Sequence, residues 1–291
     1  GQSQHAVTSR PMMSKYDPYV NMLRTMVAAF AAGVGGAAAV TVLPFDEPLG
    51  LPIPFSRRIA RNISSLLVAE SHVAAVADPG GGSHLIEKLT DDMAHAAWAL
   101  FGELEEGADL DALIGATASG RASKIATREL PLTGVTEFPN LAEELPEREP
   151  YPVAPRVLRY GADFEALRDQ PATTPVFLAT LGTVAQHTAR ATFMSNLLAA
   201  GGVATEAAGA TASTSDVTTA YGKAGSPPVV ALTGSDDLYA ERGAETIDAL
   251  RAAGAKHVIV AGKPRDLAVD DSAAVGVDAL AFLHRTREAL S

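Results

Sequence analysis

The sequence predicts an α/β protein in two parts, and three observations predict it. Apolar positions recur at helical spacing through most of residues 1–126. A run rich in proline and glutamate follows, and from residue 171 short apolar runs alternate with helical segments. A chain of 291 residues, 47% of them hydrophobic, can bury a core in each part.

In the first part, Asp17 and Pro18 are placed to start a helix whose apolar positions Val20, Leu23, Val27 and Phe30 share one face until Gly33. After a turn at Gly35 and Gly36, residues 38–43 read as a short buried strand. Ser56 is expected to cap a second helix with the stripe Ile59, Ile63, Leu66 and Leu67. Ser83 is expected to cap a third that runs to about residue 107, and a shorter helix starts at Leu110. Pro131, Pro139, Pro146, Pro150, Pro152 and Pro155 then stand among clustered glutamates. Proline removes the N–H a helix needs, so the linker, set at 127–170, is expected to be extended.

Over 171–291 strands are expected at 176–180, 203–207, 229–233 and 257–261. Helices are expected at 186–200, through Tyr221, at 237–253, briefly after 261, and at 280–290. Strands alternating with helices call for a parallel sheet covered on both faces, because parallel neighbours need long, right-handed crossovers. This is a doubly wound domain of the flavodoxin-like kind, which takes ligands at the carboxyl ends of its first and third strands.

Composition excludes several functions. With 34 acidic and 23 basic residues the net charge is -11, which repels the phosphates of nucleic acid and anionic lipid, so neither is an expected partner. The chain has no cysteine, hence no disulfide, thiolate metal site or thiol nucleophile, and a cytoplasmic location is expected. Apolar runs such as 26–32 and 229–232 fall far short of the roughly 20 residues that span a bilayer, so a soluble protein is expected. No signal peptide is recognisable, and Gly1 in place of methionine suggests a piece of a longer chain.

Longer words carry a resemblance. DPYVNMLRT at 17–25, FDEPLGLP at 45–52, RIARN at 58–62, VADPGGGS at 76–83 and TGVTEFPN at 133–140 stand in the order and near the spacing found in one family. The chain resembles the cobalamin-dependent methylmalonyl-CoA mutases over nearly all its length. That resemblance implies that 1–126 is the C-terminal part of a TIM barrel and 171–291 a cobalamin-binding-type domain.

Departures from the family pattern are equally specific. Before DPY the catalytic chains read R-x-H-x-Q-T-S-G-W-S-L-T. Here His5, Thr8 and Ser9 remain, but Ser3 stands at the arginine position and Val7 at the glutamine, and Thr41 replaces a histidine before FDE. The family's D-x-H-x-x-G, whose histidine ligates cobalt with the aspartate orienting it, aligns without gaps on Val184, Gln186 and Ala189. His187 lies one residue late, and shifting the register would put Ala185 at the aspartate and Arg190 at the glycine. The later S-x-L and G-G elements read Thr233, Gly234, Ser235 and Ala261, Gly262.

The remaining features have ordinary readings. His187 reads as a polar histidine at the start of a helix, and Gly80 to Gly82 as a tight turn without the lysine of a phosphate loop. The pairs Asp46 and Glu47, Asp91 and Asp92, and Asp236 and Asp237 read as solvated surface or helix N-terminal charge, since neighbours in sequence do not face one another. His72, His84, His95, His257 and His284 show no ligand spacing. No catalytic, cofactor-binding or metal residue is therefore assigned.

With its site residues lost, the chain is expected to be the non-catalytic small subunit of a heterodimeric mutase that interconverts methylmalonyl-CoA and succinyl-CoA by radical rearrangement. Its partner would be the large catalytic subunit, which carries the adenosylcobalamin. Two alternatives stay open: a cobalamin-binding subunit or active mutase with an atypical lower ligand, and a flavodoxin-like small-molecule binder.

Overall fold

The computed structural model describes residues 2–153 and 155–291, which divide into two compact units. The first comprises 1–122 and 144–160, the second 123–143 and 161–291.

The first unit is built around strands β1 (His5–Val7) and β2 (Ala39–Thr41), paired in parallel through the crossover helix α1 (Val20–Val34). The helix begins later than the sequence suggests. Asp17 lies in the left-handed region (φ 47°) and its backbone carbonyl accepts from Val20 N, so it forms the preceding turn instead of a cap. The buried face is also different. Asn21, Thr25 and Ala29 point inward, while Leu23 and Val27 are about two-thirds exposed and Phe30 half exposed. Asn21 is buried because its amide is used fully: Nδ2 donates to Ser14 O (2.8 Å) and Phe45 O (2.9 Å), and Oδ1 accepts from Ser14 N. A buried amide with satisfied donors and acceptor costs little.

Helix α2 (Pro54–Ser65) starts at its proline, and Ser56 sits inside the first turn, donating to Ile53 O at 2.9 Å, rather than capping it. Pro54 suits the first helical position because that residue needs no N–H. A wider π turn at Leu66–Glu70 follows, and Ile63 and Leu67 pack on Ala29. Helix α3 (His84–Glu105) starts after Ser83 as expected, yet it buries no side chain: Leu85, Ile86, Leu89, Met93, Trp98 and Phe101 are all exposed. Helix α4 (Leu110–Ala126) runs from the first unit into the second, its last turn belonging to the latter.

Residues 144–160 carry no helix or strand among the described residues, and they strap the turn at 45–51. Leu51 N donates to Glu149 O at 2.7 Å, and Gly50 takes φ 146° where a Cβ would sit 2.5 Å from that same oxygen. Only glycine fits there. Beneath the strap Arg148 Nε donates to Asp46 at 2.6 Å, and Arg10 Nε donates to Glu47 at 2.8 Å. Asp46 is wholly buried and Glu47 nearly so, which corrects the reading of this pair as solvated charge.

In the second unit a short helix, α5 (Ala162–Asp169), supplies Arg168, which is buried and donates to Gly134 O and Asn140 O, both at 2.8 Å. The sheet follows: β3 (Val176–Thr180), β4 (Thr205–Ala207), β5 (Val229–Thr233), β6 (His257–Ala261) and β7 (Asp271–Ala273). All neighbours are parallel, in the order β4-β3-β5-β6-β7. Three of these strands have the ends read from the sequence, and β4 is shorter by two residues. β7 replaces the short helix expected after 261. Its Asp-Ser-Ala lacks the β-branched apolar residues that signal a strand, and register with Ile259 to Ala261 sets it instead.

Helices α6 (Val184–Ala200), α7 (Thr214–Lys223), α8 (Asp236–Ala252) and α9 (Ala279–Leu290) cover the sheet. Alternate strand residues Phe177, Ala179, Val230, Leu232, Val258 and Val260 form one core with Val217 and Tyr221 of α7 and Leu238, Tyr239, Ile247 and Leu250 of α8. Side chains alternate across a strand, so Leu178, Ala231 and Ile259 face the other way, towards the side on which α6 and α9 meet the strands.

Candidate functional site

The sequence-derived positions fall in two groups. On the first unit, β1 and β2 bring His5, Val7 and Thr41 together: Val7 is in register with Thr41, and His5 Nε2 lies 2.7 Å from Thr41 Oγ1. Thr8 is buried because its hydroxyl accepts from Leu43 N at 2.9 Å, a structural duty. Val7 is half exposed and offers no polar contact.

The second group lies at the carboxyl ends of the parallel strands, where chain reversal between β3 and β5 leaves a crevice. Two hollows open there. One, of about 440 Å³, is lined by Gly182, Thr183 and Gln186, by Thr211 and Ala212 after β4, and by Arg242 of α8. The other, of about 540 Å³, lies between Arg190 and Phe193 of α6, Asp236 of α8, and the loop holding Gly262, Lys263 and Arg265.

Gln186, at the position aligned with the cobalt-ligating histidine, is spent on its own helix. Its Oε1 accepts from Thr183 N and Thr183 Oγ1, both at 2.9 Å, closing a capping box. The T-x-x-Q spacing carries that signal in the sequence. His187 is 7% exposed, and its Nδ1 has no hydrogen-bond partner. The histidine does stand in the first turn of α6, as read from the sequence, with its ring buried. Among the described residues no three His, Cys, Asp or Glu side chains are grouped to hold a metal ion.

Arg190 is the residue the sequence reading undervalued. Its guanidinium lies over the Tyr239 ring, 4.8 Å from the centroid, donates to Gly234 O at 2.7 Å and pairs with Asp236, which also pairs with Arg265. The Asp236 carboxyl is held below its usual range, chiefly by the Arg190 hydrogen bond. Gly262, at φ 124°, is where a Cβ would sit 3.5 Å from the Arg190 guanidinium. The side chain thus spans from the end of β5 to the end of β6. Tyr239 anchors it: the phenol donates toward Leu232 O and Ala261 O and accepts from Gly234 N. Burial is the main cause that pushes the Tyr239 pKa up to about 12.

A family model described as methylmalonyl-CoA mutase matches residues 2–225. The chain belongs to the methylmalonyl-CoA mutase family. It is 47% identical to the methylmalonyl-CoA mutase small subunit of Streptomyces virginiae over 98% of the chain and 50% of that protein. It is 37% identical to the small subunit of Propionibacterium freudenreichii subsp. shermanii over 94% of the chain and 45% of that protein. Similarity to the mitochondrial methylmalonyl-CoA mutase of Bos taurus is 45% identity over 35% of the chain and 14% of that protein. The chain spans about half the length of the small subunits it matches. Within this mutase-family chain, no helix among the described residues is long and apolar enough to cross a membrane.

Proposed function

We propose that this chain acts in the non-catalytic small subunit of a heterodimeric methylmalonyl-CoA mutase, stabilising a large subunit that carries adenosylcobalamin and performs the methylmalonyl-CoA to succinyl-CoA rearrangement. On this reading the first unit is the late part of a TIM barrel and the second a degenerate flavodoxin-like domain, in the cytoplasm. This reading keeps the limits drawn from the sequence, 1–126, 127–170 and 171–291, which differ from those of the two compact units.

The observation that carries the reading is Arg190. The family's S-x-L and G-G elements fall at the ends of β5 and β6, and there a cationic side chain is tied to Gly234 O and Asp236 and stacked on Tyr239. Displacing it would strip a part-buried network of its partners. With Gln186 consumed by a helix cap, the residues present do not fit cobalamin. The exposed apolar faces of α1 and α3, with Leu23, Val27, Phe30, Leu85, Ile86 and Trp98, support the partner role, because large exposed apolar patches mark interaction surfaces.

The isolated chain is expected to stay colourless after incubation with adenosylcobalamin and dialysis. Ultraviolet-visible spectra showing near-stoichiometric retained cobalamin would overturn the reading. A second reading, a cobalamin-binding chain with an unusual lower ligand, draws on the unpartnered Nδ1 of His187. His187→Ala separates the two in the assembled holoenzyme. As a buried truncation it should cost about 0.5–3 kcal/mol of stability and leave turnover per assembled heterodimer unchanged. A ligating role would cost at least the roughly tenfold typical of disturbed metal sites.

A further inference from the structure

The hollow beside Arg190 has a charge that the structural role leaves unexplained. Three cations, Arg190, Lys263 and Arg265, line it against one carboxylate, Asp236, on a chain whose net charge is -11. Asp236 fixes both guanidiniums by accepting from each through a different oxygen, Oδ1 from Arg190 and Oδ2 from Arg265. Arg190 is thereby held between Gly234 O and Asp236. Arg265 uses only one NH2 donor among the described residues, and Lys263 makes no hydrogen bond or ion pair among them. A guanidinium has five N–H donors and an ammonium three, so donors remain on the Lys263 and Arg265 side.

Two further features fit a ligand. Arg265 is a non-glycine residue in the left-handed region (φ 48°), a conformation that costs energy and gathers at functional sites. Apolar side chains also line the hollow, from Ala189, Phe193 and Val275. The volume of about 540 Å³ lies in the range of small-molecule sites. The hollow also opens at the carboxyl ends of parallel strands, where this type of sheet binds ligands.

We infer that this hollow binds a small molecule bearing a phosphate group, held by Lys263 and Arg265 with any apolar body against Phe193. A surplus of two positive charges matches a phosphate dianion, and a tetrahedral anion can accept from a guanidinium and an ammonium at once. Arg190 is the positioning residue, since it orients Asp236 and through it Arg265. The proposed structural role of the subunit does not depend on this site and would survive a failed titration.

The test is calorimetric titration of the full chain with inorganic phosphate, phenyl phosphate and phenol at low and high salt. Both phosphates are expected to bind saturably and more weakly in salt, and phenol not to bind. Tighter binding of phenyl phosphate would assign the site to a phosphate ester, and equal binding to free phosphate. The double variant Lys263→Ala, Arg265→Ala should weaken binding about tenfold or more, with an unchanged melting temperature because both side chains are exposed. Lys263→Arg should retain binding. Absence of saturable binding by either phosphate, or equal affinity in the double variant, would overturn the assignment.

Discussion

Changing Asp46 to Ala is expected to destabilise the protein by about 3–5 kcal/mol, the usual cost of breaking a buried ion pair by removing one partner. Asp46 is wholly buried and the Arg148 side chain is 9% exposed, so the variant strands a guanidinium where water cannot replace the carboxylate. The damage should spread along the strap. Arg148 holds the segment whose Glu149 carbonyl accepts from Leu51 N, and Gly50 leaves no slack there. Urea unfolding of the wild type, the two single variants and the double variant Asp46→Ala, Arg148→Ala would measure the coupling. The double variant should recover part of the loss, since it leaves no unpaired charge. Hydrogen exchange at 146–151 should rise in both single variants. A loss below about 1 kcal/mol in Asp46→Ala would mean that the pair is open to solvent and that its geometry is not built as described.

That pair also shows where sequence reading stops. Asp46 and Glu47 stand side by side before a proline, and such neighbours ordinarily point to solvent. The arginine that buries Asp46 lies 102 residues away, in a proline-rich stretch that reads only as a connector. Helix α1 failed for a related reason. Its apolar stripe at Leu23, Val27 and Phe30 has the right period, but the inward face belongs to Asn21, Thr25 and Ala29, because Asn21 satisfies Ser14 and Phe45 backbone groups. Periodicity finds a helix and cannot tell which partner it faces. In the second unit, by contrast, β3, β5 and β6 are continuous apolar runs buried on both faces, the pattern of central parallel strands, and they were legible to the residue. At the strand ends the alignment of Gln186, His187 and Arg190 was legible as a departure from the family pattern. The capping role of Gln186 was open to reading from Thr183. The burial of His187 and the reach of Arg190 to Gly234 were not, because both depend on how α6 lies across the sheet.

Tyr239→Phe should cost about 2–4 kcal/mol at neutral pH, although it removes a single oxygen. That oxygen accepts from Gly234 N at 3.1 Å and lies 2.9 Å from Leu232 O and 3.0 Å from Ala261 O, so its loss orphans a buried N–H and weakens two carbonyls. An unsatisfied buried donor alone costs about 1–3 kcal/mol. The hydroxyl also gives the change a pH signature. Burial, only partly offset by Arg190, pushes the folded-state pKa up to about 12 from an ordinary value of 10.0. A raised folded-state pKa means that the unfolded chain releases this proton first. The contribution of Tyr239 is therefore whole below pH 10 and is lost as pH rises from 10 to about 12, by roughly 2–3 kcal/mol at about 1.36 kcal/mol per unit. Lysines and other tyrosines titrate in the same window in both proteins, so the difference between wild type and variant isolates this group. Urea midpoints taken from pH 8 to 12 should show the gap between Tyr239→Phe and wild type narrowing as the wild type weakens. A gap that stays constant across that range would mean that Tyr239 titrates as an ordinary exposed phenol, and that Arg190 rests on a looser support than the three backbone contacts describe.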